Sequence, residues 1–365
     1  LARAQALEAA GRDIIHLEIG EPDFATPVPI VEAGVAALRA GHTHYTGAQG
    51  LPALRTAIAG FYATRWQASV DPAQVIVTPG ASGALLLALG LLAGPGDEVL
   101  MADPGYPCNR HFARFCDARA VSIPVGADSG FQLTLDLIER HATPGTRAVL
   151  IASPSNPTGT AIPPDELERI HAWCAAHAIA LIVDEIYLAL TYDGKECSAA
   201  RWDDVFVVNS FSKYFLMTGW RLGWLRAPAW ALADLERLAQ NLFLAAPTPA
   251  QHAALAAFSA TTLAELEARK AELRARRDFL LPALRERGFV IPAQPQGAFY
   301  LYADCSAHTD DSFRFAKDLL QQAGVALTPG LDFGEHQPQR YLRIAYTQPL
   351  PRLVEAVARL DRFLA

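Results

Sequence analysis

Seven short, almost continuously apolar runs alternate with longer alanine- and leucine-rich segments between residues 75 and 227. Runs without polar alternation are typical of strands that are buried on both faces, and the longer segments have the length of helices. The pattern predicts an α/β fold in which a seven-stranded, mostly parallel sheet carries helices on both faces. The predicted strands are Val75 to Thr78, Glu98 to Ala102, Ala120 to Val125, Arg147 to Ala152, Ala180 to Val183, Val205 to Asn209 and Leu222 to Arg226.

The pattern changes near residue 260. A charged segment from Ala260 to Gly288 predicts a long helix, and an α+β tail with GAFYLY (297–302) and YLRIAY (341–346) follows it. We therefore expect a large domain at 36–260 and a smaller α+β domain formed by 1–35 together with 261–365. The first 35 residues contain a helix that ends near Gly11 and the extended piece IIHLEIGEPDF, and could pack on either domain.

The composition of the chain limits the kinds of molecule that it could bind. The chain has 365 residues, 51% of them apolar, and a net charge of -7 without a long basic run, which argues against nucleic acid or a membrane surface and favours a small molecule. Five cysteines without a CxxC or CxxH pair predict neither a disulfide framework nor a metal site, and no apolar stretch is long enough to span a bilayer. We expect a cytoplasmic protein, although a chain that begins with Leu1 rather than Met allows no conclusion from its N-terminus.

Lys213 differs from the other three lysines, Lys195, Lys270 and Lys317. Lys195 lies in the turn YDGKEC, and the other two lie in charged helical stretches where exposed positions are expected. Lys213 follows the buried strand VFVVN and the turn SFS, so its amine would project from the C-terminal edge of a parallel sheet. Burial lowers the pKa of an amine, and a neutral amine can attack a carbonyl to form a Schiff base. A lysine after a strand is weak evidence alone, because such lysines are often solvated.

The residues around Lys213 strengthen the case. Ser210, Ser212 and Arg221 bring two hydroxyls and a guanidinium close to the amine, a set that is typical of a site for a phosphate dianion. Gly219 and Gly223 in the same segment predict a close approach of backbone. Arg221 taken alone could instead pair with a surface acid.

The segment SFSKYFLMTGWRLGW resembles the lysine signature of the class I/II aminotransferases, which are fold type I pyridoxal-phosphate enzymes. Similar segments follow the family's order across nearly the whole chain: HLEIGEPDF, HYTGAQGLPALR, VTPGASGAL, DPGYP, SPSNPTGT, IVDEIY, GAFYLY and YLRIAY. The resemblance implies pyridoxal 5′-phosphate bound as a Schiff base on Lys213 and ping-pong transfer of an amino group between an L-amino acid and a 2-oxo acid. It also implies a homodimer with shared active sites.

Asp184 ends a strand in IVDEIY, where a buried carboxylate needs a cation or a helix N-terminus. The resemblance makes it the partner of the cofactor's pyridinium nitrogen, while an N-cap is equally compatible with the residues alone. Tyr187 resembles a residue that hydrogen-bonds the cofactor's phenolate oxygen. Asn156, in SPSNPTGT, resembles a second donor to the same oxygen, and the resemblance also places Asn156 next to the substrate. Asn156 could otherwise belong to an ordinary turn. Lys213, Asp184 and Tyr187 are the catalytic set that the resemblance implies, with Lys213 carrying the α-proton.

The stretch VTPGASGALLLAL (77–89) predicts a strand, a glycine-rich turn and a helix whose free N–H groups can bind an anion. Gly80, Ala81 and Ser82 are the expected phosphate contacts, although many α/β units begin in this way. Tyr106 in DPGYP resembles the aromatic residue that stacks on the cofactor ring, although aromatics near strand ends are often core residues. Tyr45 in HYTGAQG resembles a tyrosine that reaches the phosphate across a dimer interface.

Arg343 lies in the middle of the alternating segment YLRIAY, where a charged side chain is unusual unless one face of the strand borders a cleft. The resemblance makes Arg343 the bidentate ligand of the substrate α-carboxylate. Gly20 in LEIG resembles the backbone contact that closes on substrate.

The residues leave other functions open. A C–S β-lyase, or another enzyme of carbanion chemistry, would share the cofactor site. A serine hydrolase would use Ser82, but GASGA lacks the second glycine of GxSxG. A noncatalytic cofactor-sensing module of a regulator is disfavoured because the sequence has no DNA-binding extension or basic patch.

Overall fold

Twelve strands and twelve α-helices make up the chain in a computed structural model that describes residues 1–365. The strands form sheets of seven, three and two members. The strands are β1 (Ile15–His16), β2 (Val75–Thr78), β3 (Glu98–Asp103), β4 (Arg119–Pro124), β5 (Thr146–Ala152), β6 (Ala180–Asp184), β7 (Phe206–Ser210), β8 (Gly223–Arg226), β9 (Tyr300–Asp304), β10 (Val325–Ala326), β11 (Thr328–Pro329) and β12 (Tyr341–Ala345). The helices are α1 (Ala2–Ala9), α2 (Val28–Arg39), α3 (Pro52–Trp66), α4 (Gly80–Leu92), α5 (Pro107–Phe115), α6 (Leu135–His141), α7 (Pro164–Ala176), α8 (Leu232–Phe243), α9 (Thr248–Leu255), α10 (Ala260–Glu286), α11 (Ser312–Ala323) and α12 (Leu350–Leu364).

The large sheet has the strand order β2-β8-β7-β6-β5-β3-β4, and its members are the seven predicted strands. Strands β3 to β7 pair in parallel, whereas β8 is antiparallel to both of its neighbours, β2 and β7. Residues 211–222, which join β7 to β8, form no helix that could carry the chain back across the sheet, so the chain returns alongside β7 in the opposite direction. The predicted mostly parallel sheet is confirmed.

Both faces of this sheet are buried, which explains why its strands are apolar without alternation. Neighbouring residues of β5 face opposite sides: Val149 belongs to the larger core cluster, and Leu150 packs in a second cluster with Leu85 of α4 and Leu235 of α8. Full burial of such a side chain contributes about 1.5 to 3 kcal/mol. The larger cluster continues to Leu353 of α12, so one core joins the sheet to the C-terminal part of the chain.

The C-terminal part contains the other two sheets. Strands β11, β12 and β9 form an antiparallel sheet, and β1 pairs in parallel with β10, which brings residues 15 and 16 to the C-terminal part. The long charged helix predicted after residue 260 is α10. The division into 36–260 and 1–35 with 261–365 stays a prediction, and α2 runs through residue 35. None of the helices combines the length and the apolar character that a membrane span requires.

Candidate active site

A cavity of about 360 Å³ lies at the C-terminal ends of β5, β6 and β7, beside the first turn of α4 and strand β12. The carboxyl edge of a parallel sheet is the usual place for a ligand in an α/β fold. Of the fourteen predicted site residues, all except Gly80 and Tyr45 line this cavity. Those twelve are Gly20, Ala81, Ser82, Tyr106, Asn156, Asp184, Tyr187, Ser210, Ser212, Lys213, Arg221 and Arg343.

Gly80 lies directly behind the cavity wall, against Arg221. It begins α4 with a φ of +75°, and a Cβ atom there would lie 2.8 Å from Nη2 of Arg221. The Arg221 guanidinium donates to the carbonyl oxygen of Thr218 at 3.0 Å and pairs with no carboxylate, so the alternative of a surface ion pair is wrong. Because no side chain caps α4, its first N–H groups and this guanidinium are donors available to an anion.

The Ser212 hydroxyl completes this donor group. It accepts a hydrogen bond from the Ser210 hydroxyl at 2.9 Å, which leaves its own hydrogen free, and both side chains are buried at the cavity wall. Gly223, the first residue of β8, allows the close approach that the sequence predicts, because a Cβ atom there would lie 2.7 Å from the carbonyl carbon of Gly80. The predicted close approach is wrong for Gly219, which lies in an exposed turn. No atom lies within 4 Å of the position that a Cβ atom of residue 219 would take.

Asp184 is a buried carboxylate without a cationic side chain bonded to it. Its Oδ1 accepts a hydrogen bond from the Ile186 N–H at 3.0 Å. The next helical turn, a short 3₁₀ helix at Leu188–Leu190, has Tyr187 at its N-cap, so the alternative of a helix-capping aspartate is wrong. Burial raises the pKa of Asp184 to about 6, while the nearby Lys213 charge opposes that shift. A buried carboxylate in this position is suited to pair with a positively charged atom of a ligand.

Lys213 reaches the cavity from the turn after β7. Its Nζ donates to the carbonyl oxygen of Gly20 at 2.7 Å. Burial lowers the pKa of the Lys213 amine to about 8, with the charges of Arg343 and Arg221 acting in the same direction and that of Glu21 opposing them. A substantial fraction of the amine is therefore neutral near physiological pH, as nucleophilic attack on a carbonyl requires.

The other lysines provide a comparison. Lys317 is exposed, as predicted, and Lys195 in its turn is exposed as well. The prediction is wrong for Lys270, whose Nζ lies 2.7 Å from Oε1 of Glu196 and whose side chain is only 13% exposed. Glu196 also pairs with Arg65 of α3, so the Lys270 ammonium group belongs to an internal ion-pair network.

Arg343 is buried in β12 and faces the cavity. Its Nη1 donates to Oδ1 of Asn156 at 3.0 Å, and its Nη2 donates to the carbonyl oxygen of Glu18 at 2.5 Å. Its Nε has no hydrogen-bond partner, and no carboxylate neutralises the guanidinium. A buried guanidinium with an unused N–H fits a carboxylate ligand.

Tyr187 is hydrogen-bonded to Tyr300, which the sequence motifs do not predict as a site residue. The two hydroxyls lie 2.9 Å apart, and the Arg343 guanidinium lies 4.4 Å from the centre of the Tyr300 ring. The motif GAFYLY marks this segment in the sequence, but β9 is buried throughout, so no alternation distinguishes Tyr300 as a cavity residue. Glu21 and Thr218 also line the cavity unpredicted, with the Thr218 hydroxyl donating to Glu21.

Tyr106 is partly buried at the cavity wall, whereas Tyr45 is 80% exposed and lies in a separate depression with His42 and His44. The predicted reach of Tyr45 into a partner's site stays a prediction. Ser82 lines a cavity that contains no histidine, so the Ser–His pair of a common serine hydrolase is not formed there.

Comparison with known proteins identifies the family. Residues 12–360 match the model of the aminotransferase class I and II family, whose members use pyridoxal 5′-phosphate. Valine–pyruvate aminotransferase of Mycobacterium tuberculosis is 40% identical over 100% of this chain and 94% of its own length. A crystal structure of an aminotransferase from Mycobacterium tuberculosis matches with a TM-score of 0.96 at 39% identity, covering 100% of this chain and 94% of that one. Aspartate aminotransferase from Thermus thermophilus with maleate matches with a TM-score of 0.94 at 34% identity, covering 100% and 95%. The chain belongs to the class I and II aminotransferase family.

Proposed function

We propose that this chain binds pyridoxal 5′-phosphate in the cavity and transfers an amino group from an L-amino acid to a 2-oxo acid. The observation that carries the proposal is an unbalanced set of charges in one cavity. Asp184 is an anion without a bonded cation, and Arg221 and Arg343 are cations without a carboxylate. A phosphorylated pyridine aldehyde together with an α-carboxylate supplies the complementary charges.

The donors and acceptors around the cavity suit the parts of this cofactor. Lys213 would hold its aldehyde carbon covalently, and Asp184 would face its ring nitrogen. When bound, the cofactor supplies an electron sink for negative charge at the substrate α-carbon. The phosphate would be held by Gly80, Ala81, Ser82, Ser210, Ser212 and Arg221, the phenolate oxygen by Asn156 and Tyr187, and the ring face by Tyr106.

Arg343 would bind the substrate α-carboxylate with two parallel hydrogen bonds, which fixes the α-carbon relative to Lys213. The Lys213 amine would accept the α-proton of the substrate and would then donate it to the cofactor carbon. A pKa of about 8 suits both roles, because an acid–base catalyst works best when its pKa lies near the working pH. Asn156 holds Arg343 at 3.0 Å and therefore positions the carboxylate ligand as well.

The amino group would remain on the enzyme between two half-reactions, which gives ping-pong kinetics. Relatives are named valine–pyruvate aminotransferase and, in Pseudomonas aeruginosa at 38% identity over 91% of this chain and 85% of its own length, arginine–pyruvate transaminase. Pyruvate is therefore the first acceptor to examine, beside 2-oxoglutarate. A β-lyase on the same scaffold has no comparable support.

The experiment that tests the proposal is a single half-reaction. The cofactor-loaded chain is mixed with a panel of L-amino acids in the absence of any 2-oxo acid, and both absorbance and products are followed. We expect one equivalent of 2-oxo acid per chain and conversion of the bound cofactor to its amine form, which pyruvate or 2-oxoglutarate then reverses. Continuous release of ammonia and a thiol from a sulfur amino acid, without that conversion, would show a lyase instead. Labelling of Ser82 by a fluorophosphonate would revive the hydrolase.

We further propose that the chain works as a homodimer in which Tyr45 completes the partner's phosphate site. Tyr45 is 80% exposed, as expected of a side chain that acts in a neighbouring copy of the chain. Mixing Tyr45→Ala chains with Lys213→Ala chains tests this, because only a mixed dimer would contain one intact site.

A cytoplasmic location is also proposed. All five cysteines are free thiols in the folded chain, which suits a reducing compartment. Fractionation of the producing cells tests this location.

A further inference from the structure

Tyr300, the first residue of β9, is 1% exposed and contacts three separate parts of the cavity. Its hydroxyl occupies the position that a Cβ atom of residue 20 would need, so the backbone of Gly20 rests directly on it. The carbonyl oxygen of Gly20 is the acceptor for Lys213 Nζ. Tyr300 therefore supports the chain segment that holds the lysine.

The ring of Tyr300 lies against the proposed carboxylate ligand. The Arg343 guanidinium carbon is 4.4 Å from the ring centre, a distance at which a cation is attracted to the face of an aromatic ring. In the β9–β12 pair, Tyr300 stands opposite Ala345, and Arg343 stands opposite Tyr302. The guanidinium therefore reaches diagonally along this face of the sheet to meet the Tyr300 ring. The ring thus restricts where Arg343 can place its donors.

The hydroxyl of Tyr300 reaches a third group, Tyr187. The two oxygens lie 2.9 Å apart, and each hydroxyl has one hydrogen to donate. Burial raises the pKa of both tyrosines, and the Arg343 charge opposes that shift at each of them. Either hydroxyl can be the donor of the pair. If Tyr300 donates to Tyr187, the hydrogen of Tyr187 is free to donate into the cavity.

We propose that Tyr300 is a positioning residue for the transfer reaction: its ring holds Arg343 for the α-carboxylate, and its hydroxyl donates to Tyr187 and frees that residue to donate to the cofactor. The inference rests on the proposed function, since both partners are residues that would contact substrate or cofactor. One side chain would thus position both the ligand of the substrate carboxylate, Arg343, and the donor to the cofactor, Tyr187.

The test separates the ring from the hydroxyl. Tyr300→Phe keeps the ring and removes the hydroxyl, and Tyr300→Leu removes both. Tyr302→Phe is the matched control, because Tyr302 is also buried on β9, has no hydrogen bond from its hydroxyl and does not line the cavity. For each chain loaded with pyridoxal 5′-phosphate, two quantities are measured: the pKa of the bound chromophore from an absorbance titration, and the Kd of 3-methylbutanoate, a carboxylate without an amino group.

Tyr300→Phe is expected to raise the chromophore pKa by roughly 0.4 to 1 unit, the effect of one lost hydrogen bond, because Tyr187 becomes a weaker donor to the phenolate oxygen. Its Kd for 3-methylbutanoate should stay within about twofold of the unchanged chain, since the cation–ring contact is retained. Tyr300→Leu should show the same pKa shift and a Kd that is roughly 2- to 30-fold weaker. Tyr302→Phe should change neither quantity.

An unchanged chromophore pKa in Tyr300→Phe, or an unchanged carboxylate Kd in Tyr300→Leu, overturns the inference while leaving the proposed function intact. A chain with its natural Tyr300 that forms no coloured complex with pyridoxal 5′-phosphate overturns the proposed function, and the inference with it. Thermal unfolding of each variant shows whether a shift reflects the site or a loss of fold. Equal shifts in Tyr302→Phe also count against a specific role for Tyr300.

Discussion

The amine nitrogen of Lys213 donates a hydrogen bond to the carbonyl oxygen of Gly20 at 2.7 Å, joining residues that are 193 positions apart. Gly20 follows β1, which pairs with the C-terminal strand β10, whereas Lys213 follows β7 of the large sheet. The cavity is therefore enclosed by two distant parts of the chain. Residues on both sides must stay in place for the lysine to face a ligand.

Gly80→Ala should weaken binding of pyridoxal 5′-phosphate. The added Cβ atom would lie 2.8 Å from Nη2 of Arg221, at a φ of +75° that strains any residue with a side chain. Displacing the guanidinium costs one hydrogen bond to a charged group, so the Kd measured by fluorescence titration should rise about 10- to 150-fold.

Gly219→Ala is the control for that substitution. No atom lies within 4 Å of the position that its Cβ would take, although the residue belongs to the same lysine segment. Its Kd for the cofactor should match that of the unchanged chain. Equal losses in the two variants would contradict a specific contact between residue 80 and Arg221.

Arg343→Lys should raise the KM for both the amino acid and the 2-oxo acid. A lysine cannot form two parallel hydrogen bonds to a carboxylate, so kcat/KM should fall about 10- to 150-fold for both substrates while cofactor affinity is retained. Arg340→Lys is the control, because the Arg340 side chain is 43% exposed and paired with Asp304. This substitution should leave kcat/KM for both substrates nearly unchanged. Loss of cofactor affinity without a change in either KM would be the contrary result.

Asp184 should make the stability of the cofactor-free chain depend on pH between about 4 and 6. Its pKa is raised by burial from 3.8 to about 6, so the folded chain retains a proton that the unfolded chain has released. The stabilisation is complete below pH 3.8 and is lost as the pH rises through 6. The loss amounts to about 3 kcal/mol in the free energy of unfolding.

Asp184→Asn isolates this contribution from the other carboxylates that titrate in the same range. Denaturant unfolding of both chains from pH 4 to pH 8 should give a difference that changes by about 3 kcal/mol across the window and is flat above it. A difference that is flat throughout would mean that Asp184 is not buried in the way described.

The sequence was sufficient where a local segment determines both the structure and the chemistry. The seven apolar runs predict the large sheet because residues such as Val149 and Leu150 face different cores and both must be apolar. Lys213, Ser210 and Asp184 could be identified because each lies at the end of such a run, and the ends of parallel strands meet at one edge of the sheet.

The sequence was insufficient where a role depends on contacts between distant segments. The role proposed for Tyr300 depends on Tyr187, which is 113 positions away, and on the pairing of β9 with β12. Lys270 looked like an exposed helix residue because its partner Glu196 is 74 positions away. Gly219 and Gly223 look alike in sequence, but only Gly223 meets another part of the backbone.

The most direct test of the proposed function is to incubate the purified chain with pyridoxal 5′-phosphate, reduce it with borohydride and map the modified peptides. We expect a coloured complex before reduction and one phosphopyridoxyl group per chain at Lys213, with none in Lys213→Ala. A colourless mixture, or a label found at Lys195, Lys270 or Lys317 instead, would contradict it.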